Sequence, residues 1–212
     1  MSEPATHSPT IHLGEPAPRF VARTTMGERA LDDYRGRWLV FFSHPAAFTP
    51  VCTSEFLTFA RLAPDFEAIG CDLLGLSVDS LFAHLAWVKA IEETFDVQVP
   101  FPVAEDPSMT IASAYGMLGP NARDSTTVRS CFVIDPDGIV RLMSSYPMST
   151  GRNVDEILRS VRALQATDAH NVLTPENWQP GGEVIEPLPS LSAAGRLQEN
   201  WFYRTRRLEE QS

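Results

Sequence analysis

Five consecutive apolar residues, Trp38-Leu-Val-Phe-Phe42, constrain this chain more than any other stretch. The run is too short for a membrane span or a free-standing helix, and it lacks the alternation of a half-solvated strand. It reads as a strand buried on both faces. Asp72-Leu-Leu-Gly-Leu-Ser-Val-Asp79 repeats the pattern. A sheet of such strands needs cover above and below, and the segments between supply it. Phe56, Phe59, Ala60 and Ala63 recur at helical spacing between Glu55 and Ala63, with Pro64 placed to end or kink that helix. Leu81, Leu85, Val88 and Phe95 share another helical face, widened by Trp87 and Ile91. Pro107 to Leu118 reads as a short helix stopped near Gly116.

Downstream, Cys131–Ile134 and Ile139–Met143 flank Asp135-Pro-Asp-Gly138, a hairpin signal that makes the sheet mixed. Asn153, with Glu156 three residues on, predicts the start of a helix whose apolar face is Val154, Ile157, Leu158, Val161 and Leu164. The order β-α-β-α-(α)-β-β-α is that of an α/β layer fold. One domain is expected over residues 11–165. Residues 166–212 form a C-terminal extension, and Pro175, Pro180, Pro187 and Pro189 make its stretch 174–190 too broken for a compact core. It is expected to wrap its own domain or a partner subunit.

The formal charge of −10 argues against a nucleic-acid surface, which needs clustered cations. Arg204, Arg206 and Arg207, beside Trp201, Phe202 and Tyr203, read as a solvated or interface edge. No apolar run approaches the ~18 residues of a membrane span, and the N-terminal stretch has no signal-peptide pattern, so a cytoplasmic protein is expected. Cys52, Cys71 and Cys131 are odd in number and widely spaced, which excludes a disulfide framework and a C-x-x-C pair. With the five histidines they give no zinc-ligand spacing.

Of the three thiols, Cys52 stands apart. Most free cysteines are small core hydrophobes, and Cys71 and Cys131, beside strands rich in Leu, Val, Phe and Ile, fit that role. Thr49-Pro-Val-Cys-Thr53 is a poor context for apolar packing. The thiolate, not the thiol, is the nucleophile, and a helix N-terminus favours an anion. Cys52 sits where such a helix should begin. Thr49 offers a hydroxyl that can donate and accept, Pro45 and Pro50 stiffen the approach, and Arg129 is a candidate positive charge.

Pro45-x-x-x-Thr49-x-x-Cys52 resembles the active-site motif of the peroxiredoxins, thiol peroxidases on a thioredoxin-like fold. The likeness runs through residues 43–55, 75–80, 99–106, 128–138 and 146–159 in order, over roughly residues 12 to 190. His44 and the long C-terminal segment resemble the 1-Cys, peroxiredoxin-6-like branch. The resemblance implies Cys52 as peroxidatic nucleophile, Thr49 as the hydroxyl orienting the peroxide, and Arg129 as the guanidinium that holds thiolate and peroxide. It implies Arg152 as a buttressing arginine, Glu55 as the acid that steers both, and His44 close to the cysteine. No metal or other cofactor is implied.

Two departures shape the mechanism expected. No cysteine follows Cys131, and Trp201-Phe202-Tyr203 stands where related long-tailed sequences carry one, so an external thiol is expected to resolve the sulfenic acid: thioredoxin, glutaredoxin with glutathione, or a small thiol. Arg35-Gly-Arg-Trp38 has no serine for a lipase-like element, and Gly75-Leu-Ser-Val-Asp79 lacks its closing glycine. The expected function is reduction of hydrogen peroxide and organic hydroperoxides. A homodimer, or a ring of dimers with the tail crossing between subunits, is implied. The alternative is a redox-sensing or holdase-type oligomer switched by oxidation of Cys52. A cysteine hydrolase lacks supporting context beyond His44.

Overall fold

A computed structural model describes residues 11–118, 126–188 and 200–208. The chain divides into two compact units after Val154. The first is built on a seven-stranded mixed sheet in the order β2-β1-β5-β4-β3-β6-β7. Its strands are β1 (Val21–Thr24), β2 (Gly27–Ala30), β3 (Trp38–Ser43), β4 (Cys71–Ser77), β5 (Val103–Glu105), β6 (Arg129–Ile134) and β7 (Val140–Tyr146). The central β3, β4 and β5 run parallel, and β6 pairs with β3 antiparallel. The two runs singled out in the sequence are therefore neighbours at the centre, and every residue of β3 is buried.

Alternation along β3 assigns its two faces. Phe42 points to helices α1 (Pro50–Ala68) and α2 (Leu81–Phe95), stacking on Phe59 with ring centroids 4.1 Å apart. Phe56 completes that layer against Phe42 and Trp87. Leu39 and Phe41 point the other way, into a cluster with Phe20, Phe132 and Tyr115, covered by the short helix α3 (Thr110–Ala114). Gly75 lets the two rings lie close over β4: a Cβ there would lie 3.3 Å from Phe56 Cζ and 3.5 Å from Phe42 Cζ.

The mixed sheet flanked by helices follows the sequence expectation, and three local features differ. α1 begins at Pro50, ahead of the helical spacing read over Glu55–Ala63, and continues past Pro64 to Ala68. A proline inside a helix costs ~3 kcal/mol. The rings of Phe59 and Phe66 on either side are fully buried, each contributing ~1.5–3 kcal/mol, which offsets that cost. The expected helix over 107–118 is helical only at Thr110–Ala114. The β1–β2 hairpin was not anticipated, because Val-Ala-Arg-Thr and Gly-Glu-Arg-Ala are short and largely polar.

The second unit, from Asp155, holds nearly all of α4 (Val154–His170) and an antiparallel pair, β8 (Glu183–Ile185) with β9 (Thr205–Arg207). Contrary to the expectation for residues 174–190, it has a small core: Ala163, Val172, Trp178 and Val184 pack together. Prolines and glycines break the regular structure there without preventing Trp178 from closing over α4. Arg159 Nη1 donates to the Trp178 carbonyl at 3.1 Å and pins that turn. Trp201, Phe202 and Tyr203 are exposed, as are Arg204, Arg206 and Arg207.

Candidate active site

β3 delivers the chain into the site. After Ser43 and His44 it passes the buried Pro45, and Phe48 turns it through a left-handed conformation with φ of 59°. Thr49 then takes the extended N-cap conformation and Pro50 opens α1, where a missing N–H removes nothing the helix would use. Cys52 is the third residue of the helix and fully buried. Glu55 follows less than one turn later and is also buried.

The sheet register supplies the cation. Cys131 pairs with Phe42, so Arg129, two residues earlier on β6, projects from the face that carries α1. Its Nη1 donates to Cys52 Sγ at 3.3 Å and to Glu55 Oε2 at 2.8 Å. Nε and Nη2 both donate to the Met148 carbonyl, at 3.1 and 2.8 Å, which fixes the plane of the guanidinium. From the loop after β7, Arg152 gives Glu55 three bonds: its backbone N–H and Nε to Oε1, and Nη2 to Oε2. Its Nη1 donates to the carbonyls of Ser43 and Ser130, and the guanidinium carbon lies 5.1 Å from the Phe42 ring centroid.

Charge balance gives this arrangement its chemical bias. Two arginines and one glutamate, all buried, carry a net charge of +1. Buried charge without a counter-charge is costly, and the sulfur in contact with Arg129 is the group that can supply an anion. Arg suits the position because its planar fork serves sulfur, carboxylate and carbonyl at once.

Cys52, Glu55, Arg129 and Arg152 are thus brought into one bonded cluster. Thr49 stands one turn before the thiol; its hydroxyl donates to the Ala46 carbonyl at 2.8 Å and keeps lone pairs for accepting. Pro45, between β3 and α1, is buried. His44 shares no side-chain bond with this cluster. Its ring lies among Phe56, Trp87 and His84, and neither ring nitrogen has a hydrogen-bond partner among the described residues. Burial, together with the positive charge of His84, Arg152 and Arg129, holds its pKa well below the usual imidazole value. The sequence reading missed the carbonyls of Ser43, Ser130 and Met148, since a backbone acceptor leaves no signature in residue type.

The other two thiols are free, buried in strands β4 and β6. Burial pushes Cys131 up to about 11 against the opposing pull of Arg152, and pushes Cys71 up as well. Among the described residues no helix is long and apolar enough to cross a membrane.

Known proteins similar to this chain are numerous. The AhpC/TSA family matches residues 13–143, and the C-terminal domain of 1-Cys peroxiredoxin matches residues 163–200. A peroxiredoxin 2 of Picrophilus torridus is 47% identical over 200 residues, covering 92% of this chain and 98% of that relative. A peroxiredoxin of Methanosarcina mazei is 49% identical over 84% of each chain. Among solved structures, a yeast mitochondrial 1-Cys peroxiredoxin, studied for thiol resolution by the glutathione and thioredoxin systems, superimposes with a TM-score of 0.84 at 40% identity, covering 94% of this chain and 100% of that one. The peroxiredoxin 6 of Arenicola marina does so with 0.80 at 37% identity, over 90% of both chains. The chain therefore belongs to the peroxiredoxins of the AhpC/TSA family, thiol peroxidases with a thioredoxin-like fold, and its C-terminal segment is that of their 1-Cys branch.

Proposed function

We propose that the protein reduces hydrogen peroxide and organic hydroperoxides at Cys52 and returns to the reduced state through an external thiol. The observation that carries this reading is the contact of Arg129 Nη1 with Cys52 Sγ inside a cluster of net charge +1. The Cys52 thiolate attacks one peroxide oxygen, the S–O bond forms as the O–O bond breaks, and the other oxygen leaves as water or alcohol after taking a proton. Negative charge grows on the departing oxygen, where a fixed guanidinium stabilises it. The Thr49 hydroxyl accepts from the incoming peroxide and aligns it, while Glu55 and Arg152 hold Arg129 in place. Pro45 shields the thiol.

The sulfenic acid is then attacked by an external thiol with loss of water, and a second thiol releases Cys52 as thiol with formation of a disulfide. Cys71 and Cys131 are poor resolving groups, because each lies inside a central strand and burial disfavours its thiolate. Thioredoxin and glutathione systems are the reductant classes to test, given the yeast relative. A cytoplasmic homodimer, assembled further into a ring and with the C-terminal unit crossing between subunits, completes the proposal.

The test is sustained turnover. With thioredoxin or glutathione plus glutaredoxin, peroxide loss should continue over many equivalents, and a dimedone adduct should form on Cys52 when reductant is withheld. Cys52→Ser should abolish consumption while Cys71→Ser and Cys131→Ser retain it. Equal loss from Cys131→Ser, or a single stoichiometric oxidation, sinks the external-thiol mechanism.

A further inference from the structure

Beside the peroxidatic cluster, and sharing none of its bonds, lies a group of metal-ligating side chains. One ligand atom from each of His44, Asp79 and His84 lies within 4.8 Å of the others. Both imidazoles are fully buried, and Asp79 is partly exposed. Their hydrogen bonding is incomplete. Neither nitrogen of His44, nor Nδ1 of His84, has a partner among the described residues. A buried polar atom left unpaired costs ~1–3 kcal/mol, so three such atoms at one place call for an explanation. Packing does not supply one, since an apolar side chain of similar size would fill either position without the penalty.

The surroundings have the features of a support for ligands. Ser77 Oγ lies 2.8 Å from His84 Nε2 and 3.2 Å from Asp79 Oδ2, tying the two together. Asp79 Oδ2 also accepts from the backbone N–H of Ala47 at 2.7 Å. Such outer bonds orient the ligands of metal sites. His44 comes from the end of β3, and Asp79 and His84 come from the loop and helix after β4, so two separate chain segments converge.

We propose that His44, Asp79 and His84 bind a divalent transition-metal ion of the zinc type. Two imidazoles and a carboxylate are a borderline ligand set suited to Zn²⁺, Co²⁺ or Ni²⁺, whereas Mg²⁺ and Ca²⁺ prefer all-oxygen sites. In a tetrahedral zinc site, bonds of about 2.0–2.1 Å put neighbouring ligand atoms roughly 3.4 Å apart. Binding therefore draws the three groups inward by an amount that side-chain rotation can supply. Three protein ligands leave one position for water, on the side where Asp79 is exposed. Because Asp79 holds Ala47 and His44 precedes Pro45, the bound ion clamps the Pro45–Thr49 approach to α1 onto the segment after β4.

The experiment uses the full chain carrying Cys52→Ser, so that the peroxidatic thiol cannot ligate, stripped of metal and titrated with Zn²⁺ against a chromophoric chelator. One Zn²⁺ per chain is expected, with at least tenfold weaker binding in Asp79→Asn and in His84→Gln. His12→Gln, which alters an exposed histidine paired with Glu15, should leave binding intact. If His84→Gln does not fold, Asp79→Asn, at a partly exposed position, decides alone. Co²⁺ added to the unsubstituted chain should give d–d bands of a nitrogen and oxygen ligand set without a thiolate charge-transfer band. The proposal is overturned by absence of stoichiometric binding, by binding that survives both substitutions, by its loss in His12→Gln, or by a thiolate band.

Discussion

Arg129 and Cys52, 77 residues apart in the chain, meet at 3.3 Å between Nη1 and Sγ, and the arginine spends its other donors on Glu55 and the Met148 carbonyl. Four bonds to three partners hold the guanidinium in place. The cation is therefore in place before a peroxide arrives, which is the condition under which electrostatic stabilisation of a transition state is most effective.

That arrangement predicts the effect of changing Arg129. Arg129→Met removes the donor facing the developing charge and should lower kcat/KM for hydrogen peroxide by about 10²–10³-fold, the usual cost of losing one such donor. Arg129→Lys should recover little, because an ammonium cannot serve sulfur, Glu55 and Met148 together. Stopped-flow peroxide reduction measures both, and near-normal activity in Arg129→Met would remove this arginine from the mechanism.

Glu55 has a different signature. Glu55→Gln leaves two buried arginines without their shared counter-charge, and breaking a buried pair in this way costs about 3–5 kcal/mol. Denaturant unfolding should show that loss directly. Reduced activity with unchanged stability would mean that the carboxylate is not what holds Arg129 and Arg152 together.

Gly75→Ala tests the layer beneath the site. The added methyl lies 3.3 Å from Phe56 Cζ, closer than such contacts ordinarily run, and 3.5 Å from Phe42 Cζ, an ordinary contact. Overpacking of this kind costs about 1–3 kcal/mol. Phe56 shares α1 with Cys52, so the variant should also slow peroxide reduction. A thermal melt with no shift in Tm would mean that the rings relax freely.

Cys131 predicts an alkaline limit. Its thiol is raised from 9.0 to about 11 in the folded chain, so between those values the native state holds a proton that the unfolded state has released. Stability is then complete below pH 9 and falls as pH rises toward 11, with a slope of at most about 1.4 kcal/mol per pH unit for this group. Unfolding measured over that range should show a smaller alkaline loss in Cys131→Ala than in the parent chain.

The sequence alone determined the sheet and set Cys52 apart from the other two thiols. A doubly buried run such as Trp38–Phe42 can satisfy its backbone only in a sheet covered on both sides, and the helical stripes that follow provide the cover. Cys52 was legible because helix-start geometry, Thr49 and two prolines surround it within a few residues, where local chemistry is enough to read. Arg129 was named from the residues as a candidate charge, and Glu55 and Arg152 only through resemblance; the mutual bonds of all three depend on the β3–β6 register and on the loop after β7. Pro64, read locally as an end or a kink, does not end α1, and the burial of Phe59 and Phe66 on either side offsets its cost. The carbonyls of Ser43, Ser130 and Met148 were invisible, because any residue type presents one. His44 shows the division most clearly. The resemblance implied only that it lies close to the cysteine, whereas the tertiary structure decided that its ring packs among Phe56, Trp87 and His84, because which side of a strand a side chain leaves from is set by pairing and packing, not by neighbours in the chain.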